Sequence, residues 1–111
     1  MITLGNCSFA GPVLAPLWSP PRGAGLYAVM APGWRLMTFR ALEFGHTADF
    51  SRSLIQQHPK HREWLTIVGT EWNLYIATCA MPASSAGERD AALRALVREY
   101  RPEFKPITAE N

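Results

Sequence analysis

Cysteine, lysine and long apolar runs are what this 111-residue chain has least of, and each scarcity closes off a class of protein. Cys7 and Cys79 are the only two cysteines. They form no Cys-x-x-Cys pair, so neither a disulfide framework nor a cysteine-built zinc site is expected. No stretch approaches the roughly 18 consecutive apolar residues that span a bilayer, which leaves no role for a membrane. The first residues carry no basic cluster, and Pro12 and Pro16 interrupt their apolar character, so a secretory leader is not expected. The cytoplasm is the expected compartment. Net charge is scarce too: a formal +2 argues against a protein whose whole surface neutralises phosphate. His46, His58 and His61 lack the His-Glu-x-x-His spacing of a helical zinc site, and no metal or other cofactor is expected.

What remains is a globular composition, 48% apolar and 18% charged, long enough for one core in one domain. The basic residues are unevenly chosen, with nine Arg against two Lys. Arginine offers a planar donor fork that suits phosphate and carboxylate.

Residues 1–24 are apolar but broken by Pro12, Pro16, Pro20 and Pro21. They read as an extended lead-in with one short edge strand around Val13 to Leu17. Residues 25–105 form the domain. Leu26 to Met30 and Arg35 to Phe44 predict a hairpin with its turn around Pro32-Gly33. Alternation of side chains puts Tyr27 and Glu43 on one face of that hairpin. Thr47 or Asp49 is placed to cap a helix through Phe50, Leu54 and Ile55, and Pro59 to end it and open a short helix carrying Trp64, Leu65 and Val68. Leu74 to Met81, nearly all apolar, predicts a central strand. Ser85-x-x-Glu88 is a capping box ahead of Ala92, Leu93, Leu96, Val97 and Tyr100 at helical spacing. The expected architecture is α+β, with helices on a small, mostly antiparallel three-stranded sheet and a loose tail over 106–111.

Several of these segments, in this order, resemble the GIY-YIG nuclease superfamily. Gly25-Leu26-Tyr27 resembles its first signature, and Leu42-Glu43-Phe44-Gly45-His46-Thr47 the second, with Glu43 where the second tyrosine belongs. His58-Pro59-Lys60-His61-Arg62-Glu63-Trp64-Leu65 resembles the helical stretch that follows. Leu74-Tyr75-Ile76 matches the third strand, and Glu88-Arg89 with Tyr100-Arg101-Pro102 brackets the last helix. The likeness covers about residues 25–102.

The resemblance implies a phosphodiester-cutting fold that uses a metal-bound carboxylate, a tyrosine that activates water and an arginine at the phosphate. Tyr27 matches the tyrosine. The arginine position falls on Ser53, one residue after Arg52, and His58 lies on the same side of the implied cleft. The position of the metal-binding glutamate, seven residues before Tyr100, is Leu93, which has no lone pair for a hard cation and fits the apolar stripe of its helix. Three functions follow. The first is a domain that has kept the fold and lost the metal, binding DNA, RNA or a protein partner, with Arg89, Arg94, Arg98 and Arg101 as nucleic-acid contacts. The second is an active Mg²⁺- or Mn²⁺-dependent endonuclease with a relocated site of Glu43, Tyr27 and Arg52. The third is an interaction or inhibitor subunit that binds no nucleic acid.

Overall fold

The computed structural model describes residues 2–4, 7–33, 39–52, 57–100 and 107–108. Its strands are β1 (Ile2–Leu4), β2 (Cys7–Leu14), β3 (Gly25–Pro32), β4 (Phe39–Thr47), β5 (Tyr75–Ala80) and β6 (Ile107–Thr108). They form one sheet in the order β1-β2-β5-β3-β4-β6, antiparallel at every pairing. Helix α1 (His61–Val68) lies over one face, and α2 (Ala86–Tyr100) over the other. The class is α+β, as the sequence predicts. Among the described residues no helix is long and apolar enough to cross a membrane.

β3 dictates this layering. Leu26, Ala28 and Met30 join Phe9, Phe44, Ala77 and Leu96 in a buried cluster beneath α2. Val29 and Ala31, on alternate positions, join Leu42, Trp64, Leu74 and Ile76 beneath α1. A strand apolar at successive positions has to be covered on both sides, and the two helices do so. The β3–β4 register slips by one residue between Val29 and Met30, making Leu42 the extra residue of a bulge.

The expected count of three strands is corrected to six among the described residues. Residues 1–24 supply β1 and β2, and β2 is hydrogen-bonded to β5 along Ala10 to Leu14, so the lead-in belongs to the sheet. Pro12 is accommodated because the β2–β5 register shifts between Ala10 and Val13, where the ladder does not need its missing N–H. Ala15–Leu17, expected to continue that strand, is a 3₁₀ turn. After β4 the described chain makes a 3₁₀ turn at Phe50–Arg52; Leu54 and Ile55 lie outside the described residues, as does the hairpin turn beyond Gly33. Helix α1 starts at His61 with Lys60 as its N-cap residue, two residues later than a Pro59 start. The capping box is present: Ser85 N–H donates to Glu88 Oε1 at 2.9 Å, and Glu88 N–H to Ser85 Oγ at 3.1 Å. In the segment expected to be a loose tail, Ile107–Thr108 pairs with Arg40 and Ala41.

Arg89 is 6% exposed, an unusual place for a charge. Its Nη1 donates to the Ser84 carbonyl at 2.7 Å and to Ser84 Oγ at 3.1 Å, while Nε has no partner among the described residues. A buried cation held by neutral acceptors contributes little net stability, whereas its stem fills core volume. Arg89→Met is therefore expected to leave stability within about 1 kcal/mol of the parent. Arg89→Ala, which empties two buried methylenes, loses about 1–2 kcal/mol. Urea denaturation of the two variants checks the order, and a methionine variant weaker than the alanine one contradicts it.

Candidate functional site

Antiparallel pairing sets Tyr27 opposite Gly45 and Val29 opposite Glu43, so Tyr27 and Glu43 stand on one face of the sheet, the α1 face. Gly45 is what lets the tyrosine lie there. A Cβ on Gly45 would fall inside the van der Waals surface of the Tyr27 Cζ and Oη atoms. The ring reaches across β4 at this bare position, and its hydroxyl comes to 3.3 Å from His58 Nε2.

His58 is fixed from three sides. The indole of Trp64, from α1, lies beneath it with centroids 4.5 Å apart and planes tilted 35°. The Tyr27 ring meets it edge-on at 6.3 Å and 75°. The backbone N–H of Lys60 donates to Nδ1 at 3.1 Å. That last bond decides the proton positions. A neutral imidazole that accepts at Nδ1 carries its hydrogen on Nε2, and so donates it to the Tyr27 oxygen. The phenol's own hydrogen is then directed away from His58. Burial lowers the His58 pKa, with Lys60 and His61 pushing the same way against Glu43, which favours this neutral form. Burial raises the Tyr27 pKa, and the Glu43 carboxylate adds to the rise. At neutral pH Tyr27 is thus a hydrogen-bond donor and not a phenolate, which weighs against its expected part as water activator.

Lys60 contributes its side chain as well. Its Nζ donates to Glu43 Oε2 at 2.6 Å, with the ammonium side chain 45% exposed and the carboxylate 17%. Next to it, His58, Pro59, His61, Arg62 and Glu63 line an open cleft of about 460 Å³, and His61 Nε2 lies 3.0 Å from Glu71 Oε1.

The remaining expected residues stand elsewhere. Arg52 is well exposed, with Nε 3.6 Å from Asp49 Oδ2. Arg89 is buried, so it offers no surface to a phosphate, which corrects its expected role as a contact. Arg94 pairs with Asp90 at 2.9 Å and Arg98 is exposed, both on α2 over the opposite face of the sheet from Tyr27. Arg101 lies outside the described residues. Leu93 packs against the cluster beneath α2, the use its position in the apolar stripe predicts. Among the described residues no three His, Cys, Asp or Glu side chains gather as a metal-binding group.

Sequence reasoning missed Lys60 and Gly45 and took Trp64 for packing alone. A signal was present for Lys60, which is one of two lysines among nine arginines and directly follows His58-Pro59. Compared with family models, with curated proteins and with solved structures, the chain matches none, so the role of the site has to be read from its own residues.

Proposed function

We propose that this chain is a GIY-YIG-like nucleic-acid-binding domain that has given up the metal-dependent cleavage of the family it resembles. One observation carries the reading. Tyr27, His58 and the Glu43–Lys60 pair converge beside an open cleft, while Leu93, at the metal-ligand position of the resemblance, is spent on the core across the sheet. A neutral phenol and an ammonium are donors, suited to phosphate oxygens. Backbone contacts of this kind give affinity without reading sequence.

The test is fluorescence anisotropy with single-stranded, duplex and branched DNA and with RNA, at low salt, in EDTA and in Mg²⁺ or Mn²⁺. Binding without cleavage is expected. Tyr27→Phe removes one hydrogen bond and is expected to weaken binding by about fivefold to tenfold. Metal-dependent cleavage that disappears in Tyr27→Phe overturns the proposal in favour of an active nuclease.

A second reading, a protein-binding module, is favoured by a different part of the surface. Leu17 and Trp72 are 64% and 57% exposed on neighbouring turns, joined where Ala15 N–H donates to the Leu74 carbonyl at 2.7 Å. Exposed large apolar side chains set close together mark contact surfaces. This reading gains if no nucleic acid binds even at low salt, where electrostatic attraction is strongest.

A further inference from the structure

We infer that Lys60, beside the cleft, is its phosphate-binding cation and that Glu43 restrains it, so that the site takes a phosphate oxygen without a divalent metal and with an affinity limited by its own carboxylate. The inference rests on the phosphate-binding reading above and adds to it which group binds and which opposes.

The geometry gives Lys60 two tasks. Its backbone N–H settles the His58 tautomer, and through it leaves the Tyr27 hydroxyl hydrogen to be donated elsewhere. Its ammonium meets Glu43 at 2.6 Å. The two charges of that pair are unequally covered: the carboxylate is the more buried, the ammonium the more exposed. An anion arriving from solvent therefore reaches the ammonium first, and it competes with Glu43 for it.

The other charged groups of the cleft do not tip this balance. Arg62 and Glu63 line the neighbouring opening with opposite signs, and His61 is engaged with Glu71. Among the described residues, Lys60 and Glu43 beside the cleft and Arg62 and Glu63 in its lining cancel formally, so the region has no excess of positive charge and the Lys60 ammonium has to supply the attraction. Removing the Glu43 charge alone makes the region cationic. A buried carboxylate facing a phosphate site would raise the free energy of the bound anion by like-charge repulsion. Glu43 is thus a brake on binding, and neither a metal ligand nor a substrate contact.

The measurement uses the whole protein in EDTA, with two probes: a 5′-fluorescein single-stranded oligonucleotide followed by anisotropy, and inorganic phosphate followed by NMR of the Lys60 Nζ and His58 ring signals. Glu43→Gln keeps the side chain's shape without its charge and is expected to tighten both probes at least about threefold. Lys60→Met is expected to weaken both by about tenfold. The double variant should bind no better than Lys60→Met, since the brake acts only on that ammonium. Lys60→Met leaves the largely covered Glu43 carboxylate without this ammonium, so backbone amide spectra establish that each variant is folded, and Glu43→Gln, which keeps the ammonium, reads the inference independently. Oligonucleotide binding unaltered by Glu43→Gln and Lys60→Met overturns the inference and leaves nucleic-acid binding standing. Phosphate binding that follows the expected order, with no oligonucleotide bound, supports the inference and removes nucleic acid as the ligand. Failure of every variant to bind either probe overturns both.

Discussion

Trp64→Ala is expected to cost about 3–5 kcal/mol of unfolding free energy, enough to leave a small domain marginal at 37 °C. Trp64 is the largest fully buried side chain among the described residues, at 0% exposure, and it closes the cluster formed by Val29, Ala31, Leu42, Leu74 and Ile76. Little else on α1 can replace it, since Trp64 is the one buried residue of that helix. The variant should also affect the site, because the indole is the platform beneath the His58 ring. Trp64→Phe keeps an aromatic surface and gives up no hydrogen bond, the indole N–H having no partner among the described residues. It is expected to cost about 1–2 kcal/mol and to hold His58 in place. Urea titrations of both variants, with the His58 ring signals followed by NMR, measure the two effects separately. An alanine variant that unfolds within 1 kcal/mol of the parent contradicts the placement of this side chain.

Gly45→Ala is the second large effect, and it arises from one methyl group. The new carbon and the end of the Tyr27 ring claim the same space, and that ring is hemmed in by His58. Overpacking of this kind costs about 1–3 kcal/mol. The ring has to swing off β4, which breaks its contact with His58, so the proposed nucleic-acid binding should fall at least as far as in Tyr27→Phe. Non-additivity gives the sharper test. In a Tyr27→Ala background the three atoms nearest that methyl, all of them Tyr27 ring atoms, are gone, and Gly45→Ala should then cost less than about 0.5 kcal/mol. Equal costs in the two backgrounds would show that the glycine serves the backbone and not the tyrosine.

Much of the α2 face was legible in the sequence because its signals are local. Ser85 and Glu88 announce the helix three residues apart, and Leu93 falls on the apolar stripe that packs it against the core. The apolar run of β5 likewise marks it as a strand covered on both sides. The first two strands were not legible, because Pro12 and Pro16 read as breakers when the chain is seen alone. Only the partner strand reveals that Pro12 sits at a register shift where its missing N–H costs nothing.

The site divides the same way. Period-two alternation is enough to place Tyr27 and Glu43 on one face. It does not say that Tyr27 lies opposite Gly45, a register set by the bulge at Leu42 and by the cores on both faces. Lys60 was hidden because its contact with Glu43 joins residues 17 apart through the fold and not through any repeat. The arginines illustrate the reverse error. Arg89, expected as a contact beside the stripe of Arg94, Arg98 and Arg101, is 6% exposed, a burial that its place on the helix did not announce.

The central claim, that this fold binds phosphate through Tyr27 and Lys60 without a metal, meets its most direct test in one salt titration. A labelled single-stranded oligonucleotide is bound in EDTA at increasing NaCl by the parent and by Tyr27→Phe. The account predicts affinity that falls as salt rises, is not increased when Mg²⁺ replaces EDTA, and is weaker in the phenylalanine variant at every salt concentration. Strand cleavage on adding Mg²⁺, or no binding at the lowest salt, contradicts it.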